Sequence, residues 1–208
     1  MFGRIIFKIF ICFLFFLNLS FSESNYLKFL RNLKSLEVVF LQVNYLPYQD
    51  TPDSIYRGLF IFKKPNKFYI KYIQDENGKP LNDYIIGDGK KIKIFIAENN
   101  ETKVVSYKDL ISYFPFSYLF SKNINRYFEF KYKKGKNILY LIPKFESDYS
   151  HILIKLKENH IIPIKYIKIT YPDKREIYFI IEKVLNYNKR LRFKGFSKNK
   201  LNRENIKR

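Results

Sequence analysis

Apolar and polar side chains follow two different periods along this chain. Near its start, Tyr26, Leu30 and Leu33 recur at helical spacing, with Ser24 or Asn25 before most of them as a candidate N-cap, so we predict one helix. Beyond this helix the period changes to two. Apolar and polar side chains alternate in 91–96 and 128–132, and in 38–43 the set Val38, Phe40 and Gln42 alternates with Val39, Leu41 and Val43. Further segments of strand character are 138–142, 152–157, 163–171, 176–183 and 190–196. The pattern predicts one helix followed by a long series of short β-strands.

Turn-forming residues separate these strands. Residues 58–72 and 85–95 each contain two apolar strands joined by a short turn, and the turn at 87–89 is Gly-Asp-Gly, which tolerates positive φ. Gly135 lies between lysines, and 171–174 places proline at the second position of a type I turn. Short turns join antiparallel neighbours, so we predict a sheet built from hairpins.

One strand, residues 59–62, is apolar on both faces. An antiparallel sheet ordinarily keeps one polar face in water, so both faces must be covered here, by the protein's own helices or by a bound apolar molecule. The segment 106–122 is a candidate cover, since it is rich in aromatic residues and Pro115 divides it into two short helical pieces. It is either a plug of the core or a movable lid.

The first 22 residues have the features of a secretory signal peptide. They combine cationic Arg4 and Lys8 with an apolar run at 9–17 and small residues at Ser20 and Ser22. The apolar run is shorter than the roughly 20 residues of a membrane-spanning helix. We therefore expect export to the periplasm, with the signal peptide cleaved after Ser22.

Cleavage would leave about 186 residues, which suits a single domain. We predict a domain over 23–196 and a basic, disordered tail over 197–208, with polar loops at 46–55 and 74–83. The single cysteine, Cys12, lies in the apolar run without the small neighbours of a lipidated cysteine. We therefore expect the mature protein to have neither a disulfide nor a lipid anchor.

Residues suited to catalysis or metal binding are scarce. His151 and His160 have no acidic residue or cysteine at ligand spacing, so we predict surface histidines. Asp88 falls in a turn, and Glu98 and Glu101 in a predicted polar loop. No nucleophile, base and orienting group can be assembled from these residues, so we expect neither an enzyme nor a cofactor.

The chain is strongly basic. Its formal charge is +20, and loss of Arg4 and Lys8 with the signal peptide lowers that to +18. The lysines are spread along strands, which argues against nucleic acid as a partner. Two explanations stay open: contact with acidic lipid head groups, or the Lys, Ile, Asn, Phe and Tyr bias that AT-rich coding sequence favours.

A series of short motifs across residues 25–196 resembles the LolA family of periplasmic lipoprotein carriers. In chain order, the motifs are Phe40-Leu41-Gln42, Gly58 to Lys64-Pro65, Phe68, Asp88-Gly89-Lys90, Pro115-Phe116 with Leu119, Leu141-Ile142-Pro143-Lys144, and the hairpin through Asp173. Their order and spacing are similar to those of the family.

The resemblance implies an α+β fold: an incomplete, strongly curved antiparallel β-barrel, closed by a helical lid, with a hydrophobic cavity inside. It implies a periplasmic chaperone for triacylated or diacylated lipoproteins. These would be released by an inner-membrane ABC transporter and delivered to an outer-membrane acceptor or to the membrane itself. We expect a monomer. A regulatory protein that senses lipid or lipoprotein on the same scaffold is the alternative function.

The resemblance also implies an acyl-chain site. Its side chains would be Phe40, Phe60, Phe62, Phe68, Ile70, Ile92, Ile94, Phe116, Leu119, Phe128 and Phe130. Phe68 is either the residue that affects cargo transfer or an ordinary core phenylalanine. At the family's lid-contacting arginine this chain has Lys64, which keeps the charge but lacks the planar fork of five donors. The resemblance makes Lys64 the expected lid contact, and two alternatives stay open: a lid that Lys64 holds more weakly than an arginine would, or a lid held by a different partner.

Overall fold

The computed structural model describes residues 23–106, 115–120, 123–158 and 160–189. A first helix, α1, spans Glu23–Asn32, and two four-residue helices follow later as α2 (Phe116–Leu119) and α3 (Ile124–Tyr127). The strands are β1 (Ser35–Tyr45), β2 (Ser54–Lys63), β3 (Lys67–Asp75), β4 (Tyr84–Gly87), β5 (Lys91–Ile96), β6 (Glu101–Ser106), β7 (Phe128–Lys133), β8 (Ile138–Pro143), β9 (His151–Leu156), β10 (Ile164–Thr170) and β11 (Glu176–Tyr187). A 3₁₀ turn, Lys134–Lys136, joins β7 to β8.

These strands form one antiparallel sheet in the order β6-β5-β4-β3-β2-β1-β11-β10-β9-β8-β7. The first and last strands of the described chain therefore meet in the middle of the sheet, and two meanders run outward from them. Within the described residues, β6 and β7 remain unpaired to each other as the two edges. The sheet is curved and unclosed, which confirms the predicted incomplete antiparallel barrel.

Three irregularities in the ladder lie near the centre of the sheet, and a fourth lies between β10 and β9, at Ile164 and Tyr166. β1 has two register shifts against β11, between Glu37 and Val38 and between Val39 and Phe40. β2 has another against β3, between Arg57 and Gly58. Bulges of this kind bend a strand and increase its twist, so they help to curl the sheet around its concave face.

The core lies on that concave face. Side chains of β1, β2 and β3 that share the face come into register across the strands, as in the pairs Leu36↔Phe62 and Phe62↔Phe68. Helix α1 packs against them, with Tyr26, Leu30 and Leu33 all buried. The predicted helical spacing of these three residues is therefore confirmed. No helix in the described part of the chain has the length and apolarity to cross a membrane.

The predicted turns are formed by local hydrogen bonds. Gly89 has φ +93°, and the Asp88 carboxylate accepts backbone N–H groups of Lys90 and Lys91 at 2.7 and 2.8 Å. Partial burial acts to raise the pKa of Asp88, but these backbone donors outweigh it and the pKa is lowered. In the last hairpin, the Lys174 N–H donates to the carbonyl oxygen of Tyr171 at 3.1 Å.

Several element boundaries differ from the prediction. Helix α1 begins at Glu23, ahead of the expected caps Ser24 and Asn25. Glu101, expected in a polar loop, begins β6, whose side chains are mostly exposed because it is an edge strand with little apolar alternation. Helix α3 was not predicted. The expected strand at 190–196, the signal peptide 1–22 and the tail 197–208 lie outside the described residues.

Candidate functional site

The concave face of the sheet is the candidate site, because it gathers aromatic and branched side chains from strands far apart in sequence. β1 contributes Phe40, β2 contributes Phe60 and β3 contributes Ile70, and all three are buried. Register brings them side by side through the pairs Val38↔Phe60 and Phe60↔Ile70. Strand alternation alone therefore produces a continuous apolar surface.

Glycines let two of the aromatic rings lie flat along the sheet. Phe40 pairs with Gly58 and Phe68 pairs with Gly87 across neighbouring strands. A Cβ atom placed on Gly58 would lie 2.5 Å from the Phe40 Cζ atom, and one placed on Gly87 would lie 2.2 Å from the Phe68 Cε1 atom. Each ring thus occupies the space that a side chain on the opposite strand would otherwise fill.

A small void of about 30 Å³ lies at the centre of this face. The described residues that line it are all apolar: Leu36, Val38, Phe40, Phe60, Ile70, Phe120, Ile167, Phe179 and Ile181. Such a volume admits about two water molecules, far less than an acyl chain occupies. In this conformation, the described side chains that line the void leave too little room for an acyl chain.

Residues around α2 cover the void. Phe120, which follows α2, places its ring 5.4 Å from that of Phe60 and 5.3 Å from that of Phe62, centroid to centroid. Leu119 is fully buried, and its carbonyl oxygen accepts the Tyr26 hydroxyl at 3.1 Å. α2 is therefore tied to α1 as well as to the sheet.

Lys64 lies beside the end of α1. Its ammonium group donates to the carbonyl oxygens of Leu30 at 3.0 Å and Arg31 at 2.8 Å. Both belong to the last turn of the helix, where carbonyl oxygens receive no N–H donor from within the helix. The partial negative charge at this helix end attracts a cation. The Lys64–Pro65 peptide bond is cis. The role of Lys64 as a lid contact stays a prediction, since 107–114 and 121–122 lie outside the described residues.

The predicted acyl-chain residues lie together. Phe40, Phe60 and Ile70 line the void. The same buried cluster includes Phe62, Phe68, Ile92, Leu119 and Phe128, with Ile94 and Phe130 partly buried against it. Phe116 begins α2, and its side chain lies outside the described part of the structure. Their role in binding stays a prediction.

Other lining residues were not predicted. Phe120 was noticed only as part of the aromatic cover, although its ring lies directly over Phe60. Ile167, Phe179 and Ile181 come from β10 and β11, where alternating apolar positions in 163–171 and 176–183 carried the signal. What the alternation could not show is that these strands pair beside β1.

One end of the concave face is polar. The Tyr72 hydroxyl donates to the Gln42 Oε1 atom at 2.7 Å, and the Gln42 amide donates to the Asn44 Oδ1 atom at 3.0 Å. Burial, with added effects of Tyr56 and Asp83, raises the pKa of Tyr72, which keeps its hydroxyl protonated as a donor. The apolar surface therefore ends at a hydrogen-bonded rim.

Groups suited to catalysis are few here. The described residues contain no cluster of histidine, cysteine or acidic side chains that could hold a metal ion. His151 is half-buried beside Tyr140, with ring centroids 5.8 Å apart. Its pKa is lowered, first by burial and then by Lys168, so the ring is neutral near pH 7. His160 is exposed, as predicted for a surface histidine.

The fold and the site together define a curved, unclosed antiparallel sheet whose apolar concave face packs against helix α1 and Phe120. The family model described as outer membrane lipoprotein carrier protein LolA matches residues 31–197. The chain therefore belongs to the LolA family.

Comparison with individual proteins adds more distant likenesses. An outer-membrane lipoprotein carrier protein of Francisella tularensis subsp. novicida (strain U112) is 27% identical over 190 residues, which cover 89% of this chain and 84% of that protein. A putative outer membrane lipoprotein-sorting protein domain from Vibrio parahaemolyticus is 9% identical, with a TM-score of 0.48, over 87% of this chain and 94% of that one. The LolA superfamily protein NE2245 from Nitrosomonas europaea is 10% identical, with a TM-score of 0.47, over 77% and 91%.

Proposed function

We propose that this protein is a periplasmic lipoprotein carrier, which holds the acyl chains of its cargo against the concave face of the sheet. The observation that supports this most is the all-apolar lining of the void beneath Phe120, among the described residues. Membership of the LolA family and the likeness to a curated lipoprotein carrier point the same way.

The size of the void requires that the site open to bind. Each buried CH₂ group of an acyl chain contributes about 0.8 kcal/mol, so one long chain gains on the order of 10 kcal/mol on leaving water. Uncovering Phe120 costs roughly 1.5–3 kcal/mol, and losing the Tyr26 hydrogen bond about 1 kcal/mol. For an acyl chain that would otherwise face water, the gain exceeds these costs, so such a chain can displace Phe120.

We propose that the segment around α2 is the lid. Its described contacts are the ring packing of Phe120 on Phe60 and Phe62 and the Tyr26 hydrogen bond to Leu119. These contacts join two short stretches of chain and leave the sheet ladder intact when they separate. The acyl chains would take the place of Phe120 against Phe40, Phe60 and Ile70.

The remaining parts of the proposal follow from the carrier role. The signal peptide 1–22 would direct export and be cleaved, 23–196 would form the carrier domain, and 197–208 would be a basic tail. The cargo would be triacylated or diacylated lipoproteins supplied by an inner-membrane ABC transporter. Delivery would go to an outer-membrane acceptor or to the membrane itself, with the carrier acting as a monomer.

Mass spectrometry of protein purified from the periplasm without detergent tests this function. We expect acylated lipoprotein to co-purify, and loading to fall at least tenfold in Phe68→Glu and Phe120→Glu, because each places a carboxylate against acyl chains. Tyr140→Glu, which changes an aromatic residue on the opposite face of β8, is the matched control. Circular dichroism would check that each variant is folded.

The outcomes separate carrier from regulator. A wild-type protein that carries no lipoprotein in the cell, but binds one lipid without releasing it to membranes, would support the sensing role instead. Loading that is equal in wild type, Phe68→Glu and Phe120→Glu would place the acyl chains elsewhere on the molecule.

A further inference from the structure

The convex face of strands β3, β4 and β5 carries a band of aromatic side chains. Residues alternate across the sheet, so side chains next to the concave Phe68, Ile70 and Ile92 point the other way. The register pairs Tyr69↔Ile86 and Tyr84↔Phe95 place these four convex side chains in adjoining rows.

The rings of Tyr69, Tyr84 and Phe95 form a continuous row in which Tyr84 contacts the other two. The Tyr69 and Tyr84 ring centroids are 6.2 Å apart, and Tyr84 stacks on Phe95 at 4.8 Å with an interplanar angle of 22°. All three are only partly buried, and Val104 on the neighbouring edge strand is 59% exposed. Ile86 in the same rows is only 1% exposed, so the apolar surface that this face presents to solvent belongs to the three rings and Val104.

Lysines surround this aromatic band. Lys67 and Lys71 lie on β3, and Lys91 and Lys93 on β5, all on the convex side by register. The Lys93 ammonium lies 5.9 Å from the centroid of the Tyr84 ring. The salt bridges of the described residues involve other side chains, so none of these four lysines is neutralised by one.

Acidic side chains near these strands are confined to their ends. Asp75 and Asp83 bind backbone N–H groups at one end, of Lys79 and Ala97 among others, and Asp88 does so in the turn at the other. The middle of the convex face is thus cationic and aromatic. We call the surface formed by Lys67, Tyr69, Lys71, Tyr84, Lys91, Lys93, Phe95 and Val104 the convex patch.

We propose that the convex patch docks the protein on the surface of an anionic phospholipid bilayer. Each lysine near an anionic surface is attracted to it, and the attraction falls away within a Debye length. Tyrosine rings suit the membrane interface because their apolar body enters the acyl boundary while their hydroxyl stays hydrated. Charge complementarity therefore favours a lipid head-group layer as the occupant.

Docking by this face would leave the candidate site exposed on the opposite side of the sheet. The inference does not rest on acyl-chain binding, because it concerns a different face and different residues. It would bring a loaded or empty protein to a membrane without occupying the concave face.

Vesicle flotation tests the proposal. The reagents are phosphatidylcholine vesicles with and without phosphatidylglycerol, wild-type protein and the triple variant Lys71→Glu, Lys91→Glu, Lys93→Glu. We expect wild type to float with the anionic vesicles only, and the triple variant to bind at least tenfold less. The matched control reverses three exposed lysines elsewhere, Lys133→Glu, Lys136→Glu and Lys165→Glu, and should bind within about threefold of wild type.

Tryptophan fluorescence supplies an independent reading, because the chain contains no tryptophan. Phe95→Trp should shift its emission to the blue with anionic vesicles, whereas Tyr140→Trp on β8 should not. Equal losses in the two triple variants would show binding by net charge alone and overturn the proposal. So would an unshifted Phe95→Trp, or an equal shift at Tyr140→Trp.

Discussion

Single residues decide how closely the strands can support the aromatic rings of the core. Phe68 and Phe40 are both buried, and both lie over a glycine on the adjacent strand. A buried ring cannot rotate out into solvent to make room for another side chain. The packing of the two rings therefore requires glycine at positions 58 and 87. Neither glycine has a positive φ, so backbone conformation is not the reason for it.

Gly87→Ala should therefore destabilise the protein by about 1–3 kcal/mol, the usual cost of overpacking a core. The reason is the 2.2 Å approach between the added Cβ and the Phe68 Cε1 atom. The measurement is the urea midpoint of unfolding. Gly135→Ala is the control, because its Cβ would meet no heavy atom within 4 Å. A midpoint unchanged by Gly87→Ala would show that Phe68 has room to move.

Lys64 gives a second prediction for a single side chain. Lys64→Met should destabilise α1 by about 1 kcal/mol, because the helix loses cationic donors to the carbonyls of Leu30 and Arg31. Amide hydrogen exchange across 26–33 should become faster. Lys34→Met removes an equal charge from the segment after the helix and should leave this exchange unchanged. If amide exchange across 26–33 were as slow in both variants as in wild type, Lys64 would have no role in stabilising α1.

At the level of elements, the hydroxyl of Tyr26 joins the first helix to the cover of the site. It donates to the Leu119 carbonyl oxygen across 93 positions of sequence. Tyr26→Phe keeps the ring but leaves that buried carbonyl without this donor, which costs about 1 kcal/mol. The lower midpoint should be seen in thermal unfolding monitored by circular dichroism. Tyr140→Phe, at a half-buried position outside the core, is the control.

Buried tyrosines also set the response of the fold to alkaline pH. Burial raises the pKa of Tyr26 and of Tyr72 above the usual value of about 10. Because the folded pKa exceeds the unfolded one, their contribution to stability is complete below pH 10 and is lost as the pH rises beyond it. We expect the free energy of unfolding to fall above about pH 10, and less steeply in Tyr26→Phe. Parallel curves for wild type and Tyr26→Phe would contradict this.

Elements differed in how well the sequence predicted them. β5 and β7 were predictable because apolar side chains recur at every second position, and β1 because it is a run rich in β-branched and aromatic residues. β6 was not, since an edge strand with exposed side chains needs little apolar pattern. Helix α3 has four residues, too few to show a helical period.

The residues that line the void were predicted only on strands that are neighbours both in sequence and in the sheet. Phe40, Phe60 and Ile70 belong to β1, β2 and β3, which are consecutive hairpin neighbours, and all three line the void. Ile167, Phe179 and Ile181 reach it because β11 pairs with β1, a contact between distant parts of the sequence. Alternation identifies a strand and its buried face, but it does not identify the partner strand.

At the scale of the whole molecule, the proposed carrier must separate its cover from its sheet. Phe60→Cys with Phe120→Cys, joined by a short bis-maleimide, should fix the two together, since their rings now lie 5.4 Å apart. The cross-linked protein should take up at least tenfold less lipoprotein than the same variant without cross-linker. Uptake would be measured by gel filtration of mixtures with solubilised lipoprotein.

The control cross-links a second adjacent ring pair, Tyr84→Cys with Phe95→Cys, on the convex face. It carries the same reagent but leaves the cover mobile, so uptake should be retained. Full uptake by the Phe60–Phe120 cross-linked protein would mean that acyl chains enter without movement of the segment around α2.

The placement of β1 and β11 side by side has a consequence for biosynthesis. β1 is the first of the described strands to be synthesised, yet its partner on one flank is the last of them, β11, which ends at Tyr187. Until the ribosome has finished that strand, the β1–β11 pairing that joins the two meanders cannot form. The nascent polypeptide thus cannot complete this sheet until β11 has been synthesised, and such a delay would suit the export that we propose for the chain.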